Sequence, residues 1–570
     1  VKLRSPFAGM LEDLRVRSGL YADDFTDFWN LKVLASVLFM FFTSIGPAAT
    51  FASLLQYKTD DDIGAVEVFM STAITGVMWS FLAGQPLVIL GVTGPVSILT
   101  ISIYTISDSW GIKFLPFYAW SQIWASLMHI LLAIFNFNDL ITLITRFSVE
   151  IFGVLIAVIY LYTGIVGIKE GFEDSGFEGG IFQLLISLGT AWLGLQLAGA
   201  RKWVVLNENL RDLVSDYGPT FSLVLWSAVP YMSPSARDVD IEKLDVPDRF
   251  DTTSGRAWLI DLTDIPVWAA FAAILPGFII TVLFFFDHNV SSLMAQAPEF
   301  KLRKPSAFHW DFFVVGVCIF VTGILGIPPT NGLIPQAPLH TRSLTVTRSQ
   351  EVTSATGETR RVDVVVKVHE QRVSNMGQAI LIGIMCFNPF LDIIRLVPTA
   401  ALDGLFLFMG AASFADNQLA ERIALYFTEP RLRDCVHRFY SEVPFDFITK
   451  FTMIQALACA IIFGVTLTPG AVVFPVLIGV LIPLRLLLLP KYMDKQYISS
   501  IDPADESFEF DEPADADARD SSAYDEDAAN GHLPSSYRRV DDPEKSDTPH
   551  TKTNSIVLQD NHNEADLADV

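Results

Sequence analysis

The sequence predicts an all-α polytopic membrane protein, and three observations carry that prediction. Apolar runs recur near the roughly 20 residues a helix needs to cross a bilayer. Two of these runs, at corresponding places in the two halves, are interrupted by proline. Basic residues gather in loops that fall on one side once the spans are threaded. The chain has 570 residues, 51% of them hydrophobic.

The N-terminal part, 1–30, alternates charges with Phe, Met, Leu and Trp29 and predicts short interfacial helices on the cytoplasmic surface. No cleavable signal peptide is expected there. A first seven-span repeat occupies 31–231, with spans at Leu31–Leu55, Gly64–Gly84, Pro86–Tyr104, Phe114–Phe135, Ile141–Ile168, Gly180–Gly199 and Leu210–Tyr231. A polar segment, 232–263, is expected to be an extracellular connecting loop. The second repeat, 264–490, holds spans at Asp264–His288, Ala307–Ile327, Thr330–Val346, Val373–Phe387, Leu396–Gly410, Phe445–Leu467 and Gly470–Leu489. In each series the third member is the broken one, so the prediction is fourteen spans arranged as a seven-plus-seven inverted repeat.

Lys2, Arg4, Arg15, Arg17, Arg201, Lys202, Arg211, Lys301, Arg303, Lys304, Arg431, Arg433 and Arg438 all fall on one face of this threading. That face is expected to be cytoplasmic, with both termini on it. The acidic, Gly-rich Lys169 to Gly179 reads as an outer loop. Residues 347–372, alternating Val with polar residues around Thr356-Gly357, read as a cytoplasmic hairpin. The last stretch, 491–570, carries 21 acidic and 7 basic residues and is disordered by composition. Two readings of this tail stay open: a solvated acidic tail, or one that engages trafficking proteins through Ser521, Ser522 and Tyr524.

The two broken stretches organise the chain. GQPLVILGVTGPVSILTISIYT, from Gly84, and GLIPQAPLHTRSLTV, from Gly332, each set a short extended run before a small residue and a proline, Gly94-Pro95 and Ala337-Pro338. Proline suits the first turn of a helix, so each stretch predicts a strand entering the bilayer and then a half-helix that starts near its middle. Two helix N-termini facing one another offer free N–H groups and roughly one unit of positive partial charge, which suits an anion.

FLAGQPLVILGVTGP, FFFDHNVSSLM, AFHWDFFVVG, NGLIPQAPLHT and VLIPLRLLLLP stand in this order between Phe81 and Pro490. In these stretches the chain resembles the bicarbonate-transporter family of anion exchangers, and most closely its borate efflux branch in fungi and plants. The resemblance covers roughly Phe7 to Pro490. It implies a core domain of spans one to four and eight to eleven, a gate domain from the rest, and a homodimer.

Asp287 is the first candidate, because an acid inside an apolar span is a functional residue by default. The resemblance implies that it lies beside the substrate and couples protons. The competing reading is a helix-end acid turned to cytoplasmic water; His288 is expected to pack or hydrogen-bond. Gln336 bears on the cargo: the resemblance places Arg there in animal exchangers, whereas a neutral amide offers both donors and an acceptor to a hydroxylated ligand. Its competing role is to satisfy the broken backbone alone. Thr93, Gly94 and Pro95 on one half-helix, and Gln336, Ala337 and Pro338 on the other, should line the site mainly through backbone N–H groups, with the Thr93 hydroxyl added and the prolines, which have no N–H, serving by geometry. Thr43 and Ser44, ahead of an expected Gly46-Pro47 break, are candidate hydroxyl donors, although such hydroxyls often bond their own helix. His340 is expected to hold the start of the second half-helix.

Walker loops, HExxH and CxxC pairs do not occur in the sequence, which excludes the corresponding ATPases, zinc proteases and thiol enzymes and implies neither cofactor nor metal. Cys318, Cys386 and Cys459 lie in apolar spans and Cys435 in a basic loop, so all four are expected to serve packing. The resulting expectation is a gradient-driven exporter of borate or boric acid at the plasma membrane, with vacuolar or endosomal membranes as further locations, surrounded by membrane lipid and without nucleic-acid partners. Its rivals are an exchanger of bicarbonate or another inorganic anion, and a non-transporting sensor or scaffold that works through the tail.

Overall fold

The computed structural model describes residues 5–26, 30–239, 241–353, 359–414, 417–429, 443–468 and 470–502, all within one compact unit, 1–518. Lys2, Arg4, Thr356-Gly357, Arg431, Arg433, Cys435, Arg438 and the tail residues Ser521, Ser522 and Tyr524 lie outside the described residues. Among the described residues, nine helices are long and apolar enough to cross a membrane.

The N-terminal helix α1 (Ala8–Ser18) is followed by α2 (Leu31–Lys58), whose first turn is capped by Asn30 accepting from Lys32 N–H at 3.0 Å. Helix α3 (Ala65–Leu82) begins at Gly64, where buried Glu67 accepts from Gly64 N–H (3.0 Å) and Thr253 N–H (2.8 Å). The first broken stretch forms strand β1 (Leu90–Gly91) and helix α4 (Gly94–Ser109). Then come α5 (Phe114–Ile134), α6 (Arg146–Asp174), α7 (Gly176–Ala198) and α8 (Glu208–Ala228).

The expected outer loop at Lys169 to Gly179 is almost wholly helical. Helix α6 runs on to Asp174, supported by the Lys169–Glu173 pair one turn apart (2.8 Å), and only Ser175 and the left-handed Gly176 (φ 68°) turn the chain into α7.

In the second half, α9 (Ile274–Ala295) and α10 (Phe308–Leu325) precede strand β2 (Asn331–Gly332) and helix α11 (Gln336–Ser343). Helix α10 stops because Gly326 takes a left-handed conformation (φ 60°) and Pro328-Pro329 cannot continue it. Helix α11 leads directly into an antiparallel hairpin, β3 (Thr345–Thr353) with β4 (Thr359–Val368). The remaining long elements are α12 (Val373–Ile384), α13 (Thr399–Ser413), α14 (Phe445–Thr466) and α15 (Phe474–Pro483).

The two short strands pair with one another, antiparallel, with Leu90 opposite Gly332 and Gly91 opposite Asn331. Non-helical backbone at membrane depth is tolerated only where protein supplies its hydrogen bonds. Polar side chains of the surrounding helices do this here. Asp311 of α10 accepts from Gly84 N–H (2.6 Å) and Gln85 N–H (3.1 Å), and Trp79 donates to Gln85 O (3.2 Å). Asn375 of α12 donates to Pro86 O (3.0 Å) and Val88 O (2.8 Å). On the second stretch, Gln122 donates to Ile327 O (3.0 Å), Ser71 to Pro328 O, and Ser291 to Leu333 O (3.2 Å).

The N-terminal segment is docked on the protein. Asp13 accepts from His309 N–H (2.9 Å) and Trp310 N–H (3.0 Å), capping α10 from outside that helix. Asp24 is buried, ion-paired with Lys304 and with Arg372 (2.7 Å), and Arg372 also stacks on the Tyr21 ring at 4.5 Å. Besides the local Arg17 at 3.9 Å, the Asp24 charge is matched by residues 280 and 348 positions away, which local composition does not reveal.

Candidate functional site

Asp287, two-thirds along α9, is buried where the two broken stretches meet. One oxygen, Oδ2, accepts from both: from the Thr93 hydroxyl at 3.5 Å and from Asn331 Nδ2 at 2.9 Å. A carboxylate placed among apolar neighbours needs such donors. Thr93 is the N-cap of α4, its hydroxyl oxygen also taking Val96 N–H at 3.4 Å, and Asn331 lies in β2. The acid therefore ties the start of one half-helix to the strand before the other and is not turned to solvent. Asn331 was not singled out by sequence reasoning; an amide beside glycine at the centre of a broken span was the available signal.

Gly94 and Pro95 form the first turn of α4, both buried. A Cβ at Gly94 would lie 2.5 Å from Cε1 of Tyr160, which reaches over from α6. Tyr160 also meets Phe51 (5.9 Å between ring centres) and Phe406 (6.0 Å), so the ring that lids the α4 start is held in an aromatic cluster of α6, α2 and α13. Sequence reasoning missed Tyr160, since nothing local to α6 marks it.

Gln336 opens α11, and Pro335 stands at its cap position with no side-chain cap. Ala337 N–H donates to Leu333 O (2.9 Å), and Pro335 and Pro338 have no N–H. The Ala337 N–H is therefore taken by the preceding turn, which corrects the expectation that it lines the site, and Pro338, as expected of a proline, can serve only by geometry. What α11 does present is the Gln336 side chain, 7% exposed. Its Nε2 donates to Thr43 O (3.3 Å), and its Oε1 has no partner among the described residues.

Thr43 contributes a carbonyl rather than a hydroxyl. Its Oγ1 donates to Phe39 O (3.0 Å) and Met40 O (3.2 Å) in its own helix. The expected break at Gly46-Pro47 is also corrected: α2 runs through both residues, and Pro47 withdraws only the N–H that would have bonded Thr43 O four residues earlier. The Ser44 hydroxyl is buried and has no partner among the described residues.

The two histidines are structural in different ways. His340 joins three elements: its Nδ1 faces Leu87 O (2.7 Å), which can only accept and so fixes a proton there, and its Nε2 meets Ser374 Oγ (2.6 Å). His288 packs edge-on to Trp79, ring centres 5.1 Å apart, and neither ring nitrogen has a partner among the described residues.

The arrangement offers a buried acid, a threonine hydroxyl, a neutral amide and an aromatic lid around two helix starts, which suits binding of a small polar solute. The model of the HCO3- transporter integral membrane domain matches residues 5–180 and 177–506. Boron transporter 1 of Saccharomyces cerevisiae is 33% identical over 484 residues, covering 82% of this chain and 81% of its own length. Boron transporter 4 of Arabidopsis thaliana is 30% identical over 598 residues, covering 88% and 87%. Among solved structures, the murine Solute Carrier 26 family member A9 anion transporter, in the inward-facing state, aligns with a TM-score of 0.54 and 11% identity over 86% of this chain and 73% of that one, a likeness of fold. The chain is a multi-pass membrane protein and belongs to the HCO3- transporter integral membrane domain family of transporters.

Proposed function

We propose that this transporter exports boron, as boric acid or borate, across the plasma membrane through the site between its two half-helices. The observation that carries the reading is Gln336, a neutral amide with a buried, open acceptor at the start of α11, in a chain whose relatives are named boron transporters. A ligand clothed in hydroxyl groups matches such a group better than a bare halide does.

Thr93, Gly94, Pro95, Asp287, Gln336, Ala337, Pro338 and Thr43 form the site, the two prolines and Ala337 by shaping it and Thr43 through its carbonyl. Asp287 binds beside the cargo and exchanges the coupled proton. The chain is threaded as fourteen spans in a seven-plus-seven inverted repeat, with both termini in the cytoplasm and the hairpin on the same side. The spans around the broken stretches act as a core that moves against a gate containing α6, and the protein works as a homodimer.

The test is boron content in boron-loaded cells that lack their own exporter. The native chain is expected to lower it and Gln336→Arg is not. Unchanged boron with the native chain, together with bicarbonate or chloride exchange by the purified protein in vesicles, would sink the borate reading in favour of a general anion exchanger.

A further inference from the structure

The position of Gln336 rests on an irregularity in a different helix. Pro47 has no N–H, so the Thr43 carbonyl, four residues earlier in α2, is without its normal helical donor. Gln336 Nε2 supplies the replacement at 3.3 Å. A carbonyl oxygen can only accept, so this contact decides which end of the amide faces α2: the nitrogen must, and the oxygen turns away. That oxygen is buried and unpartnered among the described residues, as is the hydroxyl of Ser44, the next residue along α2. A buried acceptor left unmet is costly, which points to a donor arriving with the cargo.

We infer that Pro47 and Thr43 are positioning residues that lock Gln336 with its amide oxygen toward the cargo, so that the site selects solutes carrying a hydroxyl donor. Boric acid, borate and bicarbonate present O–H groups to that oxygen. Nitrate and chloride present only lone pairs and are repelled by it. The inference rests on the half-helix site being the transport site and refines what that site recognises.

The test uses the full chain purified into vesicles, with boron efflux measured in the presence and absence of nitrate, for the native protein, Pro47→Ala and Gln336→Met. Native efflux is expected to ignore nitrate. In Pro47→Ala the restored N–H takes the Thr43 carbonyl and frees the amide to turn its nitrogen to the cargo. The KM for boron then rises about three- to tenfold, the worth of one neutral hydrogen bond, and nitrate becomes a competitor. A Pro47→Ala protein present in the vesicles with native KM and native indifference to nitrate overturns the inference. Should that variant fail to reach the membrane, Gln336→Met decides: a raised boron KM without nitrate sensitivity supports the assignment, and a native KM overturns it. A native chain that carries bicarbonate but no boron refutes the borate reading and leaves this inference standing, whereas one that carries nitrate refutes the inference itself.

Discussion

The two broken stretches do the same job by different means. Helix α4 has 16 residues and a complete local start: the Thr93 hydroxyl takes Val96 N–H, the Thr93 carbonyl takes Ser97 N–H (3.0 Å), and Pro95 sits in the first turn. Helix α11 has eight residues, no side-chain cap, and a proline at the cap position. A helix that short does not hold itself together. It is fixed from outside, by Gln336 on α2, His340 on Leu87 and Ser374, and the Thr341 hydroxyl on Ala295 O (2.8 Å). The first half-helix is therefore specified by its own sequence, and the second by its neighbours.

The comparison breaks most severely at Asp287, which serves both stretches. Asp287→Ala leaves the Thr93 hydroxyl and the Asn331 amide as buried donors without their acceptor, so boron flux should disappear and stability should fall by about 3 kcal/mol in detergent thermal unfolding. Gly94→Ala drives a methyl into Tyr160 and should cut flux about tenfold, as overpacking a rigid contact does. The double variant Gly94→Ala with Tyr160→Ala should regain part of that flux if the clash is the cause. The next pair weighs one stretch against the other. His340→Leu, which strips two external contacts from α11, should cost about 2 kcal/mol, and Thr93→Val, which removes the local cap of α4, about 1 kcal/mol. Equal costs in the two unfolding curves would erase the distinction.

A last effect, no larger than that of Thr93→Val, lies outside both stretches, in the loop after α2, where burial raises the Asp62 carboxyl from 3.8 to about 6 against the attraction of Arg256. A carboxyl so raised favours the fold while protonated, and that contribution is lost as pH rises through about 6. Asp62→Asn should therefore stabilise the protein at neutral pH by about 1 kcal/mol, discounted for its partial exposure. It should leave the order of the four preceding single variants unchanged.

What could be read from the sequence follows the same division. The start of α4 was legible because Gly94-Pro95 marks it locally, and α11 was misread at Ala337, whose N–H is taken by Leu333 O. Thr43 was picked out for its hydroxyl, but the residue that matters to its role is Pro47, four positions on, acting through a missing N–H. Asp287 stood out as a charge in an apolar run. Tyr160 and the docking of Asp24 could not stand out, since their partners come from other helices.

The docking of the N-terminal segment also sets a schedule. The Asp24 partner Arg372 lies 348 residues later in the chain. At synthesis rates of about 5–20 residues per second, Asp24 is made roughly 17 to 70 s before that partner exists. Contacts of the same segment with Ile134 O and Asn136 need far less of the chain, so its docking closes in two stages, the α1 end early and the Asp24 end late.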